Sequence, residues 1–273
     1  MDQAAALAAF EAQLRNVVRP TLDGGQFERA GSVIRCVGQE PNSWSGVEWS
    51  NLDEATADDV IAEQIRYFAE RRRDFEWKYY AYDRPADLPE RLLKAGLVPG
   101  EEEALMVADV ADVPDIPAPE GIRLVTVSDE DGLRQVKAVH DKVFGGDHGP
   151  MIDSMRARLP SGAVAPVLAL AGDEAVCAAR VDFHIGTDFA SLWGGGTLPE
   201  WRGRGIYRAL VSHRRKLAAG RGYRYLRTDA LPTSRPILEK LGFVRLTTTV
   251  PYTRPDESLS QGSLMRGSGP DQQ

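Results

Sequence analysis

The amino-acid sequence predicts an α/β (α+β) protein of two similar halves. Three observations carry that expectation. Short β-branched and aromatic runs alternate with helical apolar patterns. Two segments of the first half recur in the second at one offset. The stretch 111–121 holds Pro114, Pro117 and Pro119 within six residues, which admits neither helix nor central strand and reads as a linker.

The recurrence is Trp77-Lys-Tyr-Tyr-Ala-Tyr-Asp83 on Tyr223-Arg-Tyr-Leu-Arg-Thr-Asp229, and Leu92-Leu-Lys-Ala-Gly-Leu97 on Leu238-Glu-Lys-Leu-Gly-Phe243, both 146 residues apart. Short helical segments at 88–95 and 235–241 fall between these pairs, and the helical pattern of 60–73 falls on 206–219. Two matches at one offset point to an internal duplication. The expected divisions are a first domain over 1–113, a linker over 114–121, a second domain over 122–255 and a tail over 256–273. The tail is rich in Ser, Gly, Gln and Asp and predicts disorder.

In the second half, 122–127 reads as a strand. The helix 129–144 follows, with Leu133, Val136, Val139, His140 and Val143 on one side. A second helix covers 151–159. The runs 165–171 and 175–184 form a hairpin across Gly172-Asp173-Glu174. A strand at 189–197, a helix at 206–219, a strand at 223–229 and a helix at 234–241 come next, and 243–252 holds one or two final strands.

Composition excludes several classes. The chain has 273 residues, 42% hydrophobic and 27% charged, an ordinary globular balance. No apolar run approaches the ~20 residues of a membrane helix, and the N-terminus lacks the basic start and apolar core of a signal peptide. Cys36 and Cys177 are its only cysteines and give no disulfide framework; no zinc-type cluster appears, so no metal is expected. A cytoplasmic protein without membrane partners is expected. The net charge of −7 is uneven: residues 1–115 hold 12 Lys/Arg against 23 Asp/Glu, and the rest hold 21 against 17. The positive charge of the second half gathers around one loop and helix without interleaved aromatics, so no nucleic-acid partner is expected. The acidic half would attract a cationic partner by its field.

The informative stretch is Pro199-Glu200-Trp201-Arg202-Gly203-Arg204-Gly205-Ile206-Tyr207, a Gly/Arg loop between an apolar strand and a long helix. Its backbone N–H groups can turn inward, and the helix start adds unpaired N–H groups and a positive dipole end. That suits phosphate. From Arg202 to Arg227 there are nine Lys/Arg and no Asp/Glu. The equivalent positions of the first half are Thr56, Ala57, Asp58 and Asp59. Two carboxylates there suit the helix dipole but repel a pyrophosphate, by up to ~4 kcal/mol for each contact at ~4 Å near a surface. The first half is expected to keep the scaffold without the phosphate site.

The order β-α-α-β-β-β-α-β-α-β-β, the pattern Arg202-Gly203-Arg204-Gly205-Ile206-Tyr207, the preceding Thr197-Leu198-Pro199-Glu200 and the late Leu238-Glu-Lys-Leu-Gly-Phe243 resemble the GCN5-related N-acetyltransferases over about 122–252. The resemblance implies two such domains, the first degenerate, each a mixed, mostly antiparallel central sheet flanked by helices. It implies acetyl-CoA as co-substrate and acetyl transfer to a primary amine by direct attack. Its cofactor residues would be Arg202, Gly203, Arg204, Gly205, Ile206 and Tyr207 on the pyrophosphate, and Gly196, Thr197 and Leu198 on the pantetheine edge. Arg208 or Arg214 would reach the 3′-phosphate, or remain solvated helix residues. Gly194-Gly195-Gly196 marks either close approach of the pantetheine or a bulge.

The sequence departs from the family at two points. Tyr207 replaces the last small residue of the loop. Leu238 stands where many members carry the Tyr that protonates the departing thiolate, which leaves Tyr252 and Tyr207 as candidates. For the base, Asp182 and His184 alternate on one strand face; Asp188 and Asp229 are alternatives. Asp229 recurs as Asp83, which favours a structural role. His140 and His148 fall near the helices that cover the acceptor in this architecture, and His213 reads as solvated.

The catalytic expectation is thus Asp182, His184 and Tyr252 acting on a small-molecule or peptide amine, with a homodimer as a possible assembly. The alternative is a non-catalytic acyl-CoA-binding sensor or scaffold. A nicotinamide dinucleotide fold fails because its third glycine would fall at Arg208, and no P-loop segment occurs.

Overall fold

The computed structural model describes residues 1–19, 25–39 and 44–254; the expected tail lies outside them. The first half contains α1 (Gln3–Phe10), continued by a π-helical turn over Glu11–Arg15, then β1 (Gln26–Ala30), β2 (Val33–Val37), β3 (Gly46–Ser50), α2 (Ala57–Glu70), β4 (Glu76–Tyr80), α3 (Leu88–Lys94), β5 (Val98–Pro99) and β6 (Glu103–Asp109). The second half contains β7 (Ile122–Thr126), α4 (Glu130–Phe144), α5 (Gly149–Arg158), β8 (Val164–Ala171), β9 (Glu174–Phe183), β10 (Phe189–Thr197), α6 (Ile206–Gly220), β11 (Tyr225–Ala230), α7 (Arg235–Glu239) and β12 (Val244–Thr253). Among the described residues no helix is long and apolar enough to cross a membrane.

Local chemistry sets the element ends that matter here. Asp129 caps α4, its carboxylate accepting from the Gly132 N–H at 2.8 Å. Gly145 (φ 75°) stops that helix, a conformation that favours glycine. Both α4 and α6 are amphipathic and lie on the sheet through Leu133, Val136 and Val139, and through Ile206, Leu210 and Val211.

The two halves share one sheet, in the order β1-β2-β3-β4-β12-β6-β11-β10-β9-β8-β7, with β5 paired to β12. It is mixed: β3–β4 and β10–β11 are parallel, and the other pairs are antiparallel. The expectation of a sheet for each half therefore needs one correction. The last strand of each half pairs with the penultimate main strand of the other. Thus β12 pairs β4, with Tyr252 opposite Trp77, and β6 pairs β11, with Leu105 opposite Asp229. The residues between β6 and β7 form no regular element and lie on α6: the Ile116 N–H donates to Ser212 Oγ at 2.9 Å, and Arg215 donates to the Val113 carbonyl at 3.1 and 3.0 Å.

Apolar cores fill both faces. Met106, Leu192, Val211, Leu226 and Leu238 form one beneath α6 and α7; Val136, Met155, Leu168 and Leu198 form another beneath α4 and α5. In the first half Val47, Ile61, Phe68 and Trp77 pack beneath α2. Where the halves meet, Phe10 and Leu14 lie on Tyr80, Leu105, Phe189 and Tyr225.

Candidate active site

The middle of the sheet opens where β10 and β11 part. They pair only over Phe189–Ser191 and Tyr225–Arg227. Beyond that, β10 bulges between Trp193 and Gly196 and stays paired to β9 alone. Buried Arg214 reaches up from α6 and donates to the Arg180 carbonyl at 3.1 Å and the Trp193 carbonyl at 3.5 Å. Arg214 thus serves the bulge and is not available to a 3′-phosphate.

The glycine run is a bulge with large side chains against it. A Cβ on Gly194 would meet the His140 ring at 2.9 Å, one on Gly195 the Tyr207 ring at 2.6 Å, and one on Gly196 the Phe144 ring at 2.8 Å. Gly194 also has φ +61°, so two independent constraints select glycine there.

On the α6 side, a groove of about 300 Å³ is lined by Thr197, Arg202, Gly203, Gly205, Ile206, Tyr207 and Arg208, all expected from the sequence. It also takes in Gly195, Trp201, Ser234, Pro236, Ile237 and Lys240. Three expected members stand outside it. Gly196 faces Phe144 and Val143, Leu198 is core, and Arg204 is exposed, stacked on Trp201 and donating to the Glu200 carbonyl at 3.0 Å. The far wall comes from the start of α7, where the repeated Leu-x-Lys-x-Gly signature marked only the helix end. Arg202 Nε donates to the Thr197 carbonyl at 3.0 Å, tying loop to strand. Gly205 (φ 81°) begins α6 with no side-chain cap and no acid in the first turn. A cavity of about 20 Å³, space for one water-sized group, lies in the opening among Trp193, Gly194, Gly195, Tyr207, Thr228, Asp229 and Ser234. Gly195, Tyr207 and Ser234 belong to both spaces.

The expected catalytic residues do not gather there. Asp182 and His184 do share a face, but Asp182 lies opposite Ser191, five residues before Gly196. At about 3.3 Å per residue that is about 16 Å down the strand. Burial alone would raise the Asp182 pKa, but Arg158 at 3.1 Å and Arg180 at 3.3 Å overcome it and hold the carboxyl below its ordinary value. His184 Nε2 meets Ser191 Oγ at 2.6 Å, and burial, with Arg19 and Arg227, pushes its pKa down to about 3. Both line a separate groove of about 530 Å³ with Gln13, Arg19, Phe27 and Arg158. Tyr252 sits on β12 in the first half's core, its ring 6.3 Å from Tyr79, because β12 crosses to β4.

The alternatives divide similarly. Asp229 is buried and ion-paired to Arg227 at 2.9 Å and to Lys78 at 3.4 Å. Asp83 is buried against Arg15 at 3.1 Å, so both repeated aspartates sit in ion pairs. Asp188 is exposed on the β9–β10 loop and accepts from Gln13 at 2.8 Å. His213 is half-buried, 3.4 Å from Thr126 Oγ1. His140 and His148 stand over the glycine run on the face opposite Tyr207: His140 Nε2 lies 2.8 Å from the Gly194 carbonyl, and His148 Nδ1 lies 2.9 Å from Asp141. Leu238 is buried in the core, so no phenol occupies that position.

The first-half counterpart carries carboxylates where the second half has its Gly/Arg loop. Asp53 Oδ1 accepts from the Ala55 and Thr56 N–H groups at 3.0 and 2.8 Å, just where α2 begins, and Asp58 and Asp59 follow in the first turn. Asp58 in turn pairs with Arg91 at 3.0 Å.

No protein-family model and no curated protein matches the chain. Solved structures do. One titled a GCN5-related N-acetyltransferase from Kribbella flavida is 16% identical with a TM-score of 0.70, over 95% of this chain and 98% of that one. The chain has the GCN5-related N-acetyltransferase fold. A tandem GNAT protein from the clavulanic acid biosynthesis pathway aligns at 13% identity and a TM-score of 0.59, over 92% of this chain and 93% of its own. A third, from Sphaerobacter thermophilus, gives 15% and 0.59 over 82% and 76%. The first two likenesses span both halves at once. A shared fold carries no chemistry by itself, which lies in the residues of the opening.

Proposed function

We propose that the chain is an acyl-CoA-dependent N-acetyltransferase that moves an acetyl group from acetyl-CoA to a primary amine by direct attack, in its second half. The observation that carries this is the contrast between the two helix starts. At α6, positive-φ glycines at 203 and 205, a first turn free of acids and a groove walled by Arg202, Arg208 and Lys240 suit a pyrophosphate. At α2, Asp58 and Asp59 stand in the first turn at the positions of Arg204 and Gly205, and Asp53 accepts from the Ala55 and Thr56 N–H groups just ahead of the helix. The groove meets the small cavity at Gly195, Tyr207 and Ser234, which supports a pantetheine arm running from groove to opening with the thioester near Gly195. Tyr207, its ring over Gly195, is the phenol best placed to return a proton to the thiolate.

Calorimetric titration of acetyl-CoA into the whole protein tests this. Binding is expected, weakened at least ~10-fold in an Arg208→Glu/Lys240→Glu variant, both side chains being exposed. No binding by the unaltered protein would sink the proposal. A second reading, an acyl-CoA sensor, is favoured by buried Leu238 and by the distance of Asp182 and His184 from the opening. Tight binding with no thiol release across a panel of primary amines would select it.

A further inference from the structure

His140 on α4 and His148 just before α5 face each other, ring centroids 5.6 Å apart. The Gly194 carbonyl can only accept, so His140 Nε2 carries the hydrogen and Nδ1 a lone pair. The Asp141 carboxylate likewise accepts from His148 Nδ1, which leaves the lone pair on His148 Nε2. Asp141 is held in place by Lys137 at 2.6 Å and by the His148 backbone N–H at 3.0 Å. His140 Nδ1 and His148 Nε2 are buried and have no hydrogen-bond partner among the described residues. Those residues are 1% and 5% exposed. Two buried lone pairs on facing rings each call for a hydrogen-bond donor, and one group with two hydrogens would serve both.

The pair lies beside the opening, against the glycine run of β10. The His140 ring is what a Cβ on Gly194 would strike, and Phe144, 5.3 Å from His140 and 6.0 Å from His148, covers Gly196. The rings therefore lie on the face of β10 opposite Tyr207 and the cofactor groove, where an amine would meet a thioester held near Gly195. Resting on the acetyltransferase reading, we infer that His148 is the catalytic base for the amine, with Asp141 as its positioning residue and His140 as acceptor of the nitrogen's other hydrogen.

The surrounding charges divide the roles. Lys137 and Asp141 on α4, Asp147 on the α4–α5 loop and Arg180 on β9 surround the rings. Burial, then Arg180 and His148, push the His140 pKa down to about 3, so that ring accepts a hydrogen bond but not a proton. Burial alone would raise the Asp141 pKa, but its hydrogen bonds to Lys137 and His148 hold it down, so a carboxylate stands ready beside a His148 imidazolium. In the step itself, the ammonium gives one proton to His148 Nε2, the freed nitrogen forms the C–N bond at the acetyl carbonyl, and the C–S bond breaks. The second nitrogen proton ends on the thiolate sulfur, and His148 returns its proton to water.

The test uses the whole protein and the fastest amine from the panel, with hydroxylamine as a nucleophile that is already neutral at pH 7. His148→Gln is expected to bind acetyl-CoA as the unaltered protein does, to lose ~100-fold or more in kcat/KM for the amine together with the rising limb of its pH profile, and to keep hydroxylamine turnover within ~3-fold. Asp141→Asn should lose rate with the amine while keeping hydroxylamine turnover and acetyl-CoA binding. In ¹⁵N-histidine spectra of the unaltered protein, the His148 Nε2 resonance should move when acetyl-CoA and amine are both present. Amine turnover by folded His148→Gln within ~3-fold of the unaltered protein, with the same pH limb, overturns the inference. An unmoved Nε2 resonance would mean that the rings hold an internal water only, and overturns it even if the variant fails to fold. Failure of the unaltered protein to bind acetyl-CoA overturns the acetyltransferase proposal, and this inference falls with it.

Discussion

A single imidazole ties the acid stability of the protein to the geometry of its opening. His140 donates to the Gly194 carbonyl and is neutral because burial, Arg180 and His148 push its pKa to about 3, against 6.5 for the exposed side chain. The unfolded chain thus binds a proton at His140 below pH 6.5 that the folded chain refuses until about pH 3. Stability must fall as pH drops through that window, by about 1.4 kcal/mol per pH unit. From pH 6.5 to pH 5 this one residue is expected to contribute about 2 kcal/mol of loss. His140→Gln keeps a donor for Gly194 but cannot titrate. Urea unfolding at pH 7 and pH 5 should show a smaller loss for the variant than for the unaltered protein, and equal losses would refute the assignment.

The exchanged strands decide whether either half can fold by itself. Without β6, strand β11 loses its antiparallel neighbour, and without β4 and β6, strand β12 has no main partner. A fragment 122–273 is therefore expected to aggregate or unfold alone, exposing two strand edges, and to become soluble when co-expressed with 1–121. A cooperative, monomeric unfolding transition for the isolated fragment would contradict this. The same exchange marks the limit of what the sequence can say. The offset of 146 exposed the duplication, and the Gly/Arg loop exposed most of the groove, because both are local patterns. Strand pairing is not local: the apolar alternation of β12 is equally good beside β11 or β4, so Tyr252 looked near the site yet lies beside Trp77. Alternation puts Asp182 and His184 on one face but says nothing about which end of the strand meets the groove. For Arg214 the sequence allows a 3′-phosphate contact or a solvated helix position, because arginine is mostly exposed; only the opened β10 edge supplies the carbonyls that bury it.

For the whole molecule the question is how many cofactors a duplicated chain binds. Each half sets a helix beside a short parallel strand pair, α2 by β3–β4 and α6 by β10–β11, and the two helix starts differ in charge. Asp53 satisfies N–H groups at the start of α2, Asp58 and Asp59 add negative charge, and the residues to 115 carry nearly twice as many acids as bases. A second pyrophosphate would displace one carboxylate and face two more, each at a cost of up to ~4 kcal/mol at contact. Titration should accordingly give one acetyl-CoA per chain. Asp53→Ala tests which carboxylates matter: it should lower stability only slightly, since Asp53 accepts from the Ala55 and Thr56 N–H groups ahead of the helix, and leave the stoichiometry at one because Asp58 and Asp59 remain. Only the triple replacement of Asp53, Asp58 and Asp59 by neutral residues could uncover a second, weak site. A stoichiometry of two in the unaltered protein would mean that α2 binds its anion despite its acids, and that the acidic half is a second enzyme rather than half of one.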